Sequence, residues 1–585
     1  MPPPDAPVPA DVRNLAAQLR GLPRHLGIHS GGMVLTREPV ARTCPTEWAS
    51  MPGRSILQWD KDSVAAAGLV KIDLLGLGML SALHDACDLI HRHHGIRHTL
   101  ATIPPDDPAV YDMLCRADTV GVFQVESRAQ ASALPRLKPR TFYDLVVQVA
   151  LIRPGPIQGG SVHPYIARRN GREKATIAHP LMERALGKTL GVPLFQEQMM
   201  QLAIDCAGFT PAEADRLRQA MGSKRSLERV AELRARLMDG MAERGIPPEA
   251  AEDVYAKIEA FSNYGFPESH AASFALLVYA SAWLKLHHPA AFTCALLANQ
   301  PMGFYNPTTL IQDARRHGVT VLPADVNHSA AAPGLEPAPA RAAAGAAGGG
   351  ADRGLAIRLG LAAVRGVGDE QAEAIAAGAP YADLEDFARR TRLTEPALEA
   401  LATAGAFASL RVGRRQALWS AGALARTRGD TLPGTAPALA PDIELAPMTP
   451  VEETIADLWA TGTAVTAHPV QHAREHLRRC GALTAADLKG PVPTGELVAV
   501  GGLVTHRQRP PTAGGVLFLS LEDETGLVNV VVQPHVLQRH RRTALQSAGL
   551  LVSGTLERRD GATNLVATRL APLTLAPGAR SRDFR

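Results

Sequence analysis

Residues 68–77, GLVKIDLLGL, are predicted to form a short strand, because apolar and charged side chains alternate through them. Side chains two residues apart share one face of a strand, so Lys71 and Asp73 are expected to project together. A lysine beside a carboxylate could hold a phosphate group and a divalent cation, but a surface ion pair has the same spacing. A Mg²⁺ site for phosphoryl transfer also needs further carboxylates, so the spacing leaves both interpretations open.

The chain around this strand has the length and composition of a multidomain globular protein. Its 585 residues, of which 46% are hydrophobic and 20% charged, exceed a single core and exclude a wholly disordered chain. Six cysteines without a CxxC pair argue against a zinc ribbon or a disulfide framework. The sequence shows neither a signal peptide nor an apolar stretch that is long enough to span a bilayer, so we expect a cytoplasmic protein.

Positive charge is concentrated in two parts of a nearly neutral chain. The formal net charge is only +4, yet residues 121–230 carry 16 Lys and Arg against 9 Asp and Glu. Residues 501–585 carry 11 against 6. Local basic surplus is typical of a surface that contacts a polyanion, although a solvated surface has the same composition.

Periodicity divides the chain into blocks. Two stretches rich in Ala, Gly and Pro, 329–353 and 427–450, lack an apolar period and are predicted to be linkers. Residues 121–300 are mostly helical by pattern. Residues 497–575 alternate as strands separated by turn sequences, which predicts a five-stranded barrel.

A series of sequence blocks, in order along the chain, resembles the palm and fingers of bacterial DNA polymerase III alpha subunits. Those before and within the strand are GIHSGGMV (27–34) and ILQWDKDSVAAAGLVKID (56–73). Those after it are GVFQVESR (121–128), LVVQVALIRPGP (145–156), LFQEQMMQLA (194–203), ADRLRQAMGSKR (214–225) and YGFPESHAASFA (264–275). The final residues SRDFR (581–585) are similar to the chain end of the error-prone, ImuC-type branch.

The resemblance implies a multidomain α+β protein that corresponds to the carboxy-terminal half of a family member. The domains that it implies are a partial palm (1–105), mostly helical fingers (106–328), a linker (329–353), a helix-hairpin-helix module (354–426), a linker (427–450), a connecting helical segment (451–496), an OB-fold (497–575) and a tail (576–585). An anticodon-binding OB domain of a tRNA synthetase has a similar strand pattern, but no other block of the chain favours that family.

The same resemblance implies roles for individual residues. Asp73 would be a catalytic metal ligand, and Lys71 would lie near the primer or triphosphate. The residues expected to contact nucleotide or DNA are Arg153, Arg218, Lys224, Arg225, Ser269, His270, Gly366, Gly368, Arg507 and Arg509.

Chemistry supports several of these roles without deciding them. Pro154 and Pro156 would fix the backbone after Arg153 for a bidentate phosphate contact, and a Gly366–Gly368 turn would expose backbone N–H groups to phosphate. Each basic side chain could instead be an ordinary surface residue, and Ser269 could cap a helix. The cluster HRHHG (91–95) is interpreted as solvated histidines rather than a metal site.

The function expected from the resemblance is Mg²⁺-dependent, error-prone DNA synthesis across damaged template. The expected partners are primer-template DNA, dNTPs, ImuA- and ImuB-like proteins, the sliding clamp reached through them, and a separately encoded N-terminal half. The family's PDxDxD-like acidic pair and histidine-rich PHP domain are not found in the 585 residues, so we expect no activity from this chain alone. The alternatives are a non-catalytic DNA-binding protein and a decayed gene product.

Overall fold

The computed structural model describes most of the chain and separates it into two compact units. The residues described are 9–19, 29, 31–74, 76–153, 162–221, 226–261, 266–339, 350–426, 445–510, 513–574 and 582–584. The units are Met1–Leu77 and Gly78–Arg585.

The first unit is built from short elements. They are α1 (Ala10–Leu19), β1 (Gly32–Leu35), β2 (Thr46–Trp48), β3 (Ser55–Leu57), α2 (Lys61–Ala66) and β4 (Val70–Asp73). Strands β1 and β4 form one antiparallel pair, and β2 and β3 form another. The strand expected over 68–77 is therefore formed at Val70–Asp73, following a glycine, Gly68, with a φ of +71° that turns the chain after α2.

Helices dominate the second unit from residue 78 to 316, as the periodicity of residues 121–300 predicted. They are α3 (Gly78–His94), α4 (Pro108–Cys115), α5 (Arg128–Leu137), α6 (Phe142–Leu151), α7 (Val162–Arg169), α8 (Glu183–Leu186), α9 (Gln196–Ala207), α10 (Pro211–Met221), α11 (Ser226–Glu243), α12 (Pro248–Phe261), α13 (Glu268–His287), α14 (Pro289–Ala298) and α15 (Pro307–Arg316). Helices α13 and α14 are buried over most of their residues and form the centre of the main core, against which α3 and α6 pack. Helices α9 to α12 enclose a separate smaller core.

A three-stranded sheet follows the helices and extends into a segment that was expected to be a linker. Its strands are β5 (Thr320–Leu322), β6 (Gly334–Pro337) and β7 (Leu355–Arg358), in the order β5-β7-β6. Strand β6 and the short 3₁₀ turn Gly350–Asp352 both lie within 329–353, so the structure differs from the expectation there. The physical reason is pairing: Leu335 lies opposite the buried Ile357 in the sheet and packs against the main core, which holds Gly334–Pro337 in place.

The remaining helices surround the predicted hairpin and lead to the barrel. They are α16 (Asp369–Gly378), α17 (Leu384–Thr391), α18 (Glu395–Ala404), α19 (Arg414–Leu424), α20 (Pro450–Thr461), α21 (Arg474–Arg479) and α22 (Ala485–Lys489). Helix α18 packs against both α19 and α20, so the hairpin module and the segment after residue 450 share one body.

The last block is a closed barrel, which confirms the five-stranded prediction and the multidomain α+β class. Its strands are β9 (Leu497–Gln508), β10 (Leu517–Asp523), β11 (Gly526–Val532), β12 (Gly549–Arg559) and β13 (Ala562–Pro572). Strand β9 pairs with both β10 and β12, and the parallel contact of β11 with β13 completes the circuit. Two short strands, β8 (Ala482–Leu483) and β14 (Arg582–Phe584), add to β9, and helices α23 (Pro534–Arg539) and α24 (Arg541–Gln546) link β11 to β12. This is the arrangement of an OB-fold.

All six cysteines are free thiols, as the absence of CxxC pairs predicted. Among the helices that the structure describes, none combines the length and the apolar composition needed to cross a bilayer. The domain boundaries given above remain predictions.

Candidate functional site

Lys71 and Asp73 lie on one face of the β1–β4 pair, as the two-residue spacing predicted. Asp73 is opposite Gly32 and Lys71 is opposite Val34 in the antiparallel register. A Cβ atom at Gly32 would lie 2.9 Å from the Lys71 Cε atom, so the glycine leaves room for the lysine to cross the strand. About half of the Asp73 side chain is accessible, at 53%, so the carboxylate can reach a ligand.

His29 joins this pair, although the sequence reasoning did not single it out. Its Nδ1 atom accepts the backbone N–H of Gly31 at 3.1 Å and of Gly32 at 2.6 Å. The proton of a neutral ring must then be on Nε2, which lies 3.6 Å from the Asp73 Oδ2 atom. The available signal was the block GIHSGGMV, in which two glycines follow the histidine closely enough to hold its ring.

The described residues around Asp73 do not amount to a Mg²⁺ site. Mg²⁺ takes near-octahedral oxygen coordination. In the part of the chain that the structure describes, no cluster of three acidic, histidine or cysteine side chains includes Asp73. One carboxylate and one imidazole therefore provide at most part of a ligand set.

In the second unit, Arg153 and His270 are brought together around Phe266. The Arg153 guanidinium lies 3.7 Å from the centre of the Phe266 ring, and its Nε donates to the Val149 carbonyl oxygen at 3.2 Å. The His270 ring lies 5.1 Å from the Phe266 ring. Burial and the nearby Arg153 charge lower the pKa of His270, which favours the neutral imidazole. Two basic side chains more than a hundred residues apart thus share one aromatic support.

Ser269 occupies the second position of α13 rather than its cap. The N-cap is Pro267, so the alternative role of Ser269 as the capping residue is not observed. Ser269 and His270 are both exposed in the first turn of this helix, where backbone N–H groups point outward. The Ser269 carbonyl oxygen accepts the Ser273 hydroxyl at 3.0 Å.

Arg218 lies on α10, beside the separate core of α9 to α12. Its Nε donates to Asp215 at 2.8 Å, and about half of the side chain is exposed. Lys224 and Arg225 lie outside the described residues.

The predicted glycine turn is exposed and anchored from within. Gly366 has a φ of +74°, Gly368 is the N-cap of α16, and no atom lies within 4 Å of a Cβ placed at either. Val364 and Val367 on either side are buried, and the Val367 N–H donates to the Val364 carbonyl at 3.0 Å. The turn therefore presents backbone to solvent while apolar side chains hold it in place.

The two arginines of the barrel have different environments. Arg507 is buried, and its guanidinium donates to the carbonyl oxygens of Ala544, at 2.9 Å, and of Ser547, so it ties β9 to α24. Arg509 is exposed after the end of β9. DNA contact by either residue stays a prediction, and Arg507 also has a place within the fold.

Comparison with protein-family models matches four parts of the chain. The models are the bacterial DNA polymerase III alpha NTPase domain (5–76), the bacterial DNA polymerase III alpha subunit finger domain (79–245), the helix-hairpin-helix motif (318–417) and the OB-fold nucleic acid binding domain (498–573).

Curated proteins are similar to the chain along almost its full length. The error-prone DNA polymerase of Mycolicibacterium paratuberculosis is 58% identical over 584 residues, which is 99% of this chain and 52% of that protein. The error-prone DNA polymerase of Nocardia farcinica is 56% identical, over 99% of this chain and 50% of its own length. That of Cutibacterium acnes is 52% identical, over 100% of this chain and 54% of its own length. The chain spans about half the length of the curated relatives that it matches.

Proposed function

We propose that the chain, which is similar to DnaE-type error-prone DNA polymerases and has matching finger, helix-hairpin-helix and OB-fold modules, takes part in template-directed nucleotidyl transfer from dNTPs. The reaction is DNA synthesis across damaged template during repair and replication. The observation that carries this proposal is the common face of Lys71 and Asp73 on the β1–β4 pair, with His29 beside them.

In this proposal, the role of each set of residues follows from its geometry. Asp73 supplies one carboxylate of the catalytic set, and His29 orients it. Lys71 holds the primer end or the triphosphate by its positive charge. Arg153 and His270, supported by Phe266, contact the incoming nucleotide or nearby template together with Ser269, Arg218, Lys224 and Arg225. A planar guanidinium held on an aromatic ring suits bidentate phosphate recognition.

The nucleic acid itself is held by the later modules in this proposal. The exposed Gly366–Gly368 turn offers backbone N–H groups to a phosphate of the duplex. The barrel serves as a platform for single-stranded template, with Arg509 at its surface and Arg507 beneath.

We further propose that this chain does not polymerise by itself. Among the described residues, no cluster of carboxylate, histidine or cysteine ligands includes Asp73, so in this proposal the ion is held jointly with residues that an upstream half supplies. The side chains on the other face of the β1–β4 pair also indicate that further residues are needed to complete this unit. Met33 is opposite Ile72 and Leu35 is opposite Val70, and all four apolar side chains are exposed. An uncovered apolar sheet face is typical of an incomplete core.

The test is primer extension by two proteins. One is the purified 585-residue chain, and the other is a fusion of that chain to the remaining upstream half of the Mycolicibacterium paratuberculosis relative. We expect no extension from the chain alone and Mg²⁺-dependent extension from the fusion. Asp73→Asn should lower the fusion's rate by roughly 10³-fold or more, since an essential charge-stabilising ligand is lost.

The matched control is Glu47→Gln, which removes an exposed carboxylate from β2 in the same unit. It should leave the rate of the fusion unchanged. Extension by the chain alone at a rate abolished by Asp73→Asn would contradict the predicted dependence on an upstream half. A fusion that is active and insensitive to Asp73→Asn would remove Asp73 from the catalytic set.

A second candidate function is DNA binding without catalysis, and the exposed glycine turn favours it. In that case the chain alone should bind primer-template DNA with an affinity that falls steeply with salt, while the fusion shows no turnover. Fluorescence anisotropy over a salt series distinguishes this outcome from the first. The proposed partners, ImuA- and ImuB-like proteins and through them the sliding clamp, can be tested by co-purification with the tagged chain.

A further inference from the structure

A cluster of two histidines and one aspartate lies in the second unit, and it includes His94 of the sequence HRHHG (91–95), which is partly buried rather than solvated. The His94 Nε2 and His288 Nδ1 atoms each lie 2.9 Å from the same oxygen, Oδ1, of Asp352. The three ligand atoms lie within 4.8 Å of one another. The Asp352 side chain is fully buried, His288 is 4% exposed and His94 is 21% exposed.

The cluster is built by residues that are distant in sequence. His94 is the last residue of α3, His288 lies between α13 and α14, and Asp352 ends the short turn after strand β6. Gly350 lets this turn approach closely, because a Cβ at that position would lie 2.3 Å from the His287 carbonyl oxygen. The second Asp352 oxygen, Oδ2, accepts the Ala291 N–H at 3.0 Å, which orients the carboxylate.

The buried carboxylate has no permanent counter-charge. Its ion pairs among the described residues are with the two histidines, and no lysine or arginine is among them. A comparable cluster of Asp118, Asp313 and His317 shows the contrast. There the buried Lys285 ammonium lies between both carboxylates, so that cluster already contains its cation.

We propose that His94, His288 and Asp352 bind a divalent transition-metal ion of the Zn²⁺ type. Two imidazole nitrogens and one carboxylate oxygen are a common zinc ligand set, and Oδ1 can pass to the metal while Oδ2 keeps its backbone donor. The partly exposed side of His94 gives access to the fourth position. The ion ties α3 and the start of α14 to the turn Gly350–Asp352. Its role is structural, and it is separate from the Mg²⁺ chemistry of the proposed polymerase.

The test is made on the full 585-residue chain. Metal content is measured by inductively coupled plasma mass spectrometry after purification without chelator, and thermal unfolding is followed after EDTA treatment and after addition of Zn²⁺. We expect about one Zn²⁺ per chain, a lower unfolding temperature after EDTA, and recovery with Zn²⁺. Loading with Co²⁺ should give the visible absorption of a tetrahedral site.

Two variants and one control define the site. His94→Gln and Asp352→Asn should each abolish the bound metal and the response to Zn²⁺, and His94→Gln keeps a partly exposed position that the fold tolerates. His84→Gln alters an exposed histidine on the same helix and should bind metal normally. The proposal is overturned if the unfolding temperature of the wild-type chain is the same after EDTA treatment and after addition of Zn²⁺. It is also overturned if His94→Gln binds Zn²⁺ as the wild type does. Hydrogen bonds alone would then hold the cluster.

Discussion

Lys285 is a buried lysine that supplies the positive charge for two carboxylates in the interior. Its Nζ atom lies 3.2 Å from the Asp118 Oδ1 atom, contacts the Asp313 carboxylate and donates to the Val120 carbonyl at 2.9 Å. Burial alone would raise the pKa of Asp118, but the Lys285 charge and the His317 hydrogen bond hold that pKa well below its usual value. Because the folded pKa is depressed, this carboxylate stabilises the protein above the pKa of the unfolded chain, and that contribution is lost on acidification.

We expect Lys285→Met to lower the free energy of unfolding by about 3–5 kcal/mol, since it leaves two carboxylates in the interior without their cation. Urea denaturation at neutral pH measures the effect. The matched control is Lys257→Met, which removes a lysine paired with the exposed Asp253 on α12. That change should cost at most about 1 kcal/mol. Equal losses in the two variants would show that the Lys285 network contributes no more than a surface ion pair.

At the scale of elements, the turn before α16 contains two glycines that have different backbone conformations and equally open surroundings. Gly366 has a positive φ that an alanine adopts only at a cost, whereas Gly368 is extended with a φ of −78°. Both positions are open to solvent, so a methyl group meets no atom at either. The two glycines therefore differ in backbone strain, and Gly368 is in addition the N-cap of α16.

We expect Gly366→Ala to cost about 1–2 kcal/mol of stability and to weaken primer-template affinity by roughly tenfold, because the turn amides no longer point outward together. Gly368→Ala, the comparison variant, should cost less stability than Gly366→Ala, because its φ of −78° suits alanine and only the N-cap preference for glycine is lost. Chemical denaturation and fluorescence anisotropy give the two quantities. Unchanged affinity in a folded Gly366→Ala chain would exclude this turn as a phosphate contact.

The elements were predicted well where a local pattern decides them. Alternation and turn sequences were enough for the barrel strands, and the GxG pattern was enough for the hairpin turn. Composition predicts a linker over 329–353, because this segment is rich in Ala, Gly and Pro and shows no apolar period that would indicate strand β6. Strand β6 forms there because β7 offers it a partner, which is a tertiary contact that composition does not encode.

At the scale of the whole molecule, the barrel is docked on the helical body through contacts that are far apart in sequence. Arg172 pairs with Asp560, the Arg128 guanidinium lies 4.1 Å from the centre of the Phe518 ring, and Thr309 donates to the buried Glu522 at 2.7 Å. Burial raises the pKa of Glu522, against the opposing charge of Arg316. The first unit contrasts with this packing, since all four residues of β4 are exposed.

Hydrogen exchange should reveal that contrast. We expect the amides of β10 and β11 to exchange only through global unfolding, and those of β1 and β4 to exchange through local opening at a free energy near zero. Mass spectrometry on the chain alone and on the upstream fusion measures both. Protection of β1 and β4 should rise in the fusion, where the apolar face is covered. Slow exchange across residues 70–73 in the chain alone would show that this sheet is stable without further cover.

The sequence by itself determined the resemblance to error-prone DNA polymerases, the fold class, the order of modules and the common face of Lys71 and Asp73, because local periodicity and ordered motifs carry that information. Only the tertiary structure decided which distant side chains meet. His29 beside Asp73, Arg153 and His270 on one ring, Arg507 inside the barrel, and Asp352 between two histidines all depend on backbone approach. Such meetings join residues that are between 37 and 258 positions apart in the sequence, and no local pattern specifies them.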